Sequence, residues 1–170
     1  MNDDFDKDLE DGHKGEQVVR HFVERNWYKQ FIKYNDDSAY DILFQNVNEE
    51  PMTMEVKTDY WEQEMHQGGS GNMAIEYKCR GKKSGIRKTK AKFFAYYFPN
   101  ISDEQLWIIS VKKLKELLDK HNFKGVDGGE TYYDSDDKVT RCYLIPRFEY
   151  KHHFMRFTYD GRRWLTSLEL

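Results

Sequence analysis

Between positions 39 and 57, two short apolar runs carry charge where a buried strand should carry none. Ala39-Tyr40-Asp41-Ile42-Leu43-Phe44-Gln45 wraps hydrophobic side chains around a lone aspartate. Met52-Thr53-Met54-Glu55-Val56-Lys57 sets a glutamate and a lysine two residues apart. The polar stretch 46–51 between them reads as a turn, so the two runs predict a β-hairpin. Side chains alternate across a strand, which puts Glu55 and Lys57 on one face, and a suitable register brings Asp41 beside them. Burying charge on such a sheet is expensive unless the groups are paired or coordinate a metal. With that register three charges would converge on an otherwise apolar hairpin; the alternative is a surface hairpin carrying a Glu55–Lys57 ion pair.

A length of 170 residues supports one domain, with residues 1–11 read as an acidic flexible tail and 12–170 as a single folded unit. Its core is expected over about 12–120 and a β-rich C-terminal extension over about 121–170. Aromatic residues at 16% exceed what a disordered polyampholyte carries, and charged residues at 34% are too many for a membrane protein. The apolar stretches 93–99 and 106–111 fall far short of the ~20 residues that span a bilayer, so no membrane partner is expected. The acidic N-terminus does not resemble a secretory signal, and the expected location is cytoplasmic. Cys79 and Cys142 form no C-x-x-C pair and are read as reduced, structural thiols.

Val18, Val19, Phe22 and Val23 recur at helical spacing and predict a first helix over 13–26, with Glu16 in its first turn. Residues 27–34 read as an aromatic, extended link. After the hairpin, the glycines at 68, 69 and 71 precede a third strand over 73–79. The pattern then predicts a second helix over 87–97, a buried strand over 106–111 and a short amphipathic helix over 112–120, giving the order αβββαβα. Residues 141–145 read as a further strand. Residues 148–164 interleave aromatics with cations, a pattern equally suited to a nucleic-acid contact, a dimer contact or a sheet edge.

Although the net charge is -3, its distribution is segregated. Residues 78–92 hold eight Lys or Arg and no acid, while 3–11 hold six acids and 127–137 hold five. Such segregation makes a local positive surface for phosphates. Gly81, Ser84 and Gly85 allow close backbone approach, and Arg80, Lys82, Lys83, Arg87, Lys88 and Lys90 supply charge. Ser84 and Thr89 supply hydroxyl donors, which completes a candidate DNA-binding set. Phe93, Phe94 and Tyr97 are read as core. Glu76, on the third strand, is either a further metal ligand or second-layer group, or the partner of Lys78 or of the basic helix in an ion pair. His152 and His153 are adjacent, so on a strand they face opposite ways and do not jointly ligate a metal.

Carboxylate oxygens suit Mg2+, which is usually held by one or two carboxylates, waters and substrate phosphate. Such an ion polarises a phosphate and acidifies a bound water, and Lys57 is placed to orient or deprotonate that water or to neutralise the transition state. Ser38-Ala39-Tyr40-Asp41, a thirteen-residue spacer and Glu55-Val56-Lys57 resemble the signature of the PD-(D/E)xK nuclease superfamily. Gly15-Glu16 opens a helix where Holliday junction resolvases and small phage nucleases of that superfamily carry an additional metal-binding glutamate. The resemblance covers about residues 12–111. Tyr40 stands in place of the proline that often precedes the first acid, and Lys92 stands where an acid is more usual.

The resemblance implies an α/β, restriction-endonuclease-like fold: an αβββαβ core whose central mixed sheet is flanked by helices. It implies a Mg2+-dependent DNA endonuclease, structure-selective and junction-resolvase-like, in which Mn2+ substitutes for Mg2+. Glu16, Asp41, Glu55 and the Val56 carbonyl would hold the metal, and Lys57 would assist the attack of water. The partners implied are DNA, branched forms included, and a second copy of the chain, since symmetric junction cleavage needs two sites. A restriction or repair nuclease of the same fold and a non-catalytic nucleic-acid-binding module are the alternatives.

Overall fold

The computed structural model describes residues 3–27, 29–35, 39–101, 103–128 and 139–166, with backbone alone at 3–9, 11, 127 and 128. Helix α1 (Asp3–Asn26) leads into strand β1 (Gln30–Tyr34), and then β2 (Ile42–Gln45) and β3 (Pro51–Thr58). After a loop come β4 (Asn72–Cys79), the two-residue β5 (Lys82–Lys83) and a 3-10 turn (Gly85–Arg87). The chain continues through β6 (Phe93–Phe98), β7 (Gln105–Ser110), α2 (Val111–Lys120), β8 (Gly125–Gly128) and β9 (Thr140–Pro146). Short helix α3 (Arg147–Tyr150), β10 (Met155–Tyr159) and β11 (Trp164–Thr166) complete it.

The strands form two sheets. The larger has the order β1-β2-β3-β6-β7-β10-β11 and is mixed, because β3 and β6 run parallel while the other neighbours run antiparallel. The smaller has the order β5-β4-β9-β8. The expected hairpin is present, with Ile42 opposite Met54 and Phe44 opposite Met52. The strands expected at 73–79, 106–111 and 141–145 and the helix at 112–120 also form, within a residue or two of their expected ends. The strands beyond residue 120 are shared between both sheets, so the C-terminal third is woven into the fold.

Two expectations change. Helix α1 begins at Asp3 rather than near His13, so the backbone of the acidic segment is helical from residue 3. Acids near a helix N-terminus complement its dipole, a contribution that apolar periodicity does not register. The helix expected over 87–97 is instead a 3-10 turn, an irregular stretch and β6. Phe93-Phe94-Ala95-Tyr96-Tyr97-Phe98 is apolar at every position because β6 is central and covered on both faces, as strands joined by a crossover usually are. Phe94, Tyr96 and Phe98 pack with Met73, Ile75 and Ile145 of the smaller sheet and with Leu114 and Leu117 of α2. Ala95 and Tyr97 face Val19, Phe22 and Val23 of α1. A six-residue aromatic run satisfies helix and strand periodicity alike, and burial on two faces favours the strand.

The layers are thus α1, the large sheet, then the small sheet with α2. Each fully buried side chain such as Phe22 or Ile75 contributes about 1.5–3 kcal/mol of transfer free energy. Cys79 and Cys142 are free thiols. Among the described residues no helix is long and apolar enough to cross a membrane. The acidic run 127–137 and Ser38 lie outside the residues whose side chains are described.

Candidate functional site

On β3, Met52 and Met54 are buried against α1, so the alternate residues Glu55 and Lys57 project from the opposite face. β2 stops one residue short of Asp41, whose N–H donates to the Met54 carbonyl at 2.9 Å. Its carboxylate then takes the place of the next ladder acceptor: Asp41 Oδ2 accepts the Val56 N–H at 2.6 Å. The aspartate is held by the backbone of the strand that carries Glu55 and Lys57. Ala39, two residues earlier, accepts from the Lys90 N–H at 2.8 Å and the Thr89 hydroxyl at 3.2 Å, which ties this segment to the stretch before β6.

Glu16 arrives from α1, the other layer. A Cβ built on Gly15 would stand 1.8 Å from the Thr58 hydroxyl oxygen, so only glycine lets the helix lie this close to β3. That approach carries Glu16 to the sheet. From the smaller sheet, β4 contributes Glu76, and Gly85 follows at the head of the 3-10 turn. Gly85 has φ +46, and a Cβ there would meet the Glu76 carbonyl at 2.4 Å. The outcome is a cleft of about 250 Å³ lined by Glu16, Asp41, Glu55, Val56, Lys57 and Glu76, closed by Gly85 and Phe94. The residues named from the spacing of Asp41, Glu55 and Lys57 and from the early glutamate meet in one place.

Four carboxylates face one ammonium in this cleft, and the titration of Asp41 and Glu55 reflects it. Burial, together with repulsion from Glu16, pushes the Asp41 carboxyl up to about 6 against the Val56 N–H, which favours its charged form. Burial first, and then the neighbouring Asp41, Glu76 and Glu16 charges, push Glu55 up to about 7, with the Thr89 hydroxyl opposing. On its open side Glu16 Oε2 lies 3.3 Å from the His13 Nδ1. No ion pair joins Glu76 to Lys78 among the described residues, so Glu76 belongs to the cleft rather than to a strand-surface pair.

Among the described residues no three His, Cys, Asp or Glu side chains form a ready-made metal cluster. The donor chemistry nonetheless fits a hard divalent cation. All the candidate donors are oxygens, Asp41 and Glu55 are desolvated, and Glu16 raises the proton affinity of both; a cation among them would relieve that repulsion. Glu16, Asp41, Glu55 and the Val56 carbonyl are the groups that would hold it, with Glu76 beside them.

The basic residues divide. Arg80, Lys82, Lys83, Arg87, Lys88 and Lys90 are exposed on the β4–β5 turn and the 3-10 turn next to the cleft. Thr89 is only 4% exposed and is not part of that surface. Its hydroxyl accepts the Ala91 N–H, bonds the Ala39 carbonyl and supports Glu55, so it positions a cleft residue. The Ser84 hydroxyl is likewise enclosed, without a hydrogen-bond partner in the structure, and does not face outward. No simple sequence pattern marks Thr89 as a support, because its partners lie 34 and 50 residues away.

Sequence reasoning also missed a buried polar lock. Glu62 and Arg147, 4% and 1% exposed, stand 3.3 Å apart. Glu62 also accepts from the Ser70 N–H, the Ser70 hydroxyl and the Gly71 N–H. It fixes the loop between β3 and β4 against α3. Comparisons with protein-family models, curated proteins and solved structures find no match for the chain.

Proposed function

We propose that the protein is a Mg2+-dependent DNA endonuclease with a restriction-endonuclease-like active site. The observation that carries this reading is the cleft itself: Asp41, Glu55 and Lys57 on one hairpin, joined by Glu16 from α1, beside an exposed basic turn. The antiparallel β1-β2-β3 run under α1 and the parallel step to β6 support the fold assignment. The crossover from β3 to its parallel neighbour β6 runs through β4, β5 and the 3-10 turn rather than through the helix expected over 87–97, and it carries the basic residues beside the cleft.

When bound, a divalent cation there supplies charge neutralisation at the scissile phosphate and a more acidic water. The chain does the rest. Asp41 and Glu55 hold the negative charge that binds the cation, and the Val56 N–H keeps Asp41 in position. Lys57 orients the attacking water and counters the charge that grows on phosphate oxygens in the transition state. Arg80, Lys82 and Lys88 bind flanking phosphates, which positions the strand without reading its sequence. Branched DNA is the proposed substrate, and a homodimer would place two clefts across a four-way junction.

The test is a panel of linear, flapped and four-way DNA incubated with Mg2+, Mn2+ or EDTA. The proposal expects cleavage with either cation, none in EDTA, and faster cutting of branched DNA. Binding without any cleavage would leave a non-catalytic nucleic-acid-binding module instead.

A further inference from the structure

A second cavity, of about 340 Å³, lies on the other side of the 3-10 turn. Lys83 of β5, Arg87 of the turn and Lys115 of α2 converge on it, with Asp119 as the lone acid. Among the described residues none of the three cations makes an ion pair. Like charges that converge in a concavity repel one another and raise a positive potential suited to an anion. Arg87 is held in place without being neutralised. It donates to the Tyr143 hydroxyl at 2.6 Å and lies 4.9 Å from the centre of the Tyr77 ring, which stacks on Tyr143 at 4.2 Å. The Lys115 ammonium stands 3.5 Å from the Thr89 carbonyl, whose residue supports Glu55 in the cleft.

The remaining walls are apolar or aromatic: Ile86, Leu118 and Tyr143. Such a pocket fits a ligand that is anionic at one end and planar or apolar at the other. Its place relative to the cleft narrows the choice. Gly85 lines the cleft, while the next two residues, Ile86 and Arg87, line the pocket. Two residues of backbone separate Gly85 from Arg87, a reach of at most about 7 Å. One or two nucleotide steps, about 3.4 Å each along the axis, cover that distance. A base paired inside a duplex cannot enter a side pocket without leaving the stack.

We propose that this pocket holds a nucleotide of an unpaired strand one or two steps from the bond presented to the carboxylate cleft. Lys83, Arg87 and Lys115 take its phosphate, and Ile86, Leu118 and Tyr143 flank its base. The placement rests on the nuclease reading of the cleft and deepens it, since it names single-stranded or unpaired DNA as what the site engages.

The test separates binding from chemistry. A labelled oligothymidylate, single-stranded or annealed to its complement, is titrated with the full chain in EDTA and followed by fluorescence anisotropy. The single strand should bind more tightly than the duplex. Lys83→Gln/Lys115→Gln should weaken single-strand binding about tenfold and flatten its log–log salt dependence by up to about 1.4, since each neutralised phosphate contributes about 0.7. Tyr143→Phe keeps the ring but releases Arg87, and it should weaken binding by a smaller factor. Unchanged affinity in a double variant that melts like the wild type overturns the pocket, as does equal or tighter binding of the duplex. Cleavage is scored separately. Wild-type protein that binds through the pocket yet cuts nothing with Mg2+ or Mn2+ keeps the pocket and overturns the cleft reading. A double variant that binds and cuts like the wild type keeps the cleft and overturns the pocket.

Discussion

Asp41 and Glu55 are the two desolvated carboxylates of the cleft, and their raised proton affinity has a consequence for stability. Both folded carboxyls sit above their ordinary values of 3.8 and 4.5, at about 6 and about 7. The native state therefore binds more protons than the unfolded chain between those values. This contribution to stability is fully present below about pH 4 and is lost as pH rises through 6 and 7. Without divalent cation, the wild type should lose about 1–3 kcal/mol relative to Asp41→Asn/Glu55→Gln between about pH 5 and pH 8. Parallel melting-temperature profiles for the two proteins would contradict this. The same competition makes added Mg2+ stabilise the wild type more at about pH 8 than at about pH 5.5. Thr89 supplies a second residue-scale test. Thr89→Val removes a hydrogen bond that favours charged Glu55, so it should shift the pH dependence of cleavage upward while leaving DNA affinity nearly unchanged. The carboxylates were legible in the sequence because charge inside apolar runs is rare and costly. Thr89 was not, because a hydroxyl within a basic run looks the same whether it points outward or in.

Among the elements, α1 packs on β3 through Val19, Phe22 and Val23, and Gly15 lets it lie against Thr58. With Thr58 Oγ1 1.8 Å from any added Cβ, Gly15→Ala must lift the helix or turn the Thr58 side chain. A cost of about 1–3 kcal/mol is expected from overpacking, with weaker cation binding as Glu16 withdraws. Gly15→Ala/Thr58→Ala should regain most of the loss, and equal stability of the two variants in chemical denaturation would show that the close approach is not limiting. The loop between β3 and β4 depends on the buried Glu62–Arg147 pair. Glu62→Ala strands a buried guanidinium and should cost about 3–5 kcal/mol. The hairpin, β4, β7 and α2 were readable because each has one polar and one apolar face or a clear strand composition. β6 was not, since a strand covered by α1 on one side and by the small sheet on the other loses the alternation that separates strand from helix. The small sheet itself was invisible, because β4 pairs with β9 across the chain, Ile75 opposite Tyr143.

At the scale of the molecule, a net charge of -3 coexists with a cationic face on the β4–β5 turn and the 3-10 turn. Neutralising Lys82, Lys83, Arg87 and Lys88 together should weaken duplex DNA binding and reduce its log–log salt slope by about 0.9 for each phosphate no longer neutralised. An unchanged slope with unchanged affinity would move the DNA surface elsewhere. Gly85 lines the carboxylate cleft while Lys83 and Arg87 of the basic face line the second pocket, so a strand following that face meets both. Whether the cleft of Asp41, Glu55 and Lys57 cuts DNA is decided by Mg2+-dependent cleavage rates of the wild type, Asp41→Asn and Lys57→Ala on the same DNA panel, with melting curves for each. The wild type should cut, EDTA should stop it, and each variant should lose at least about a hundredfold in rate while melting cooperatively. Wild-type rates in either folded variant, with contaminating nuclease excluded, would contradict a catalytic role for this cleft.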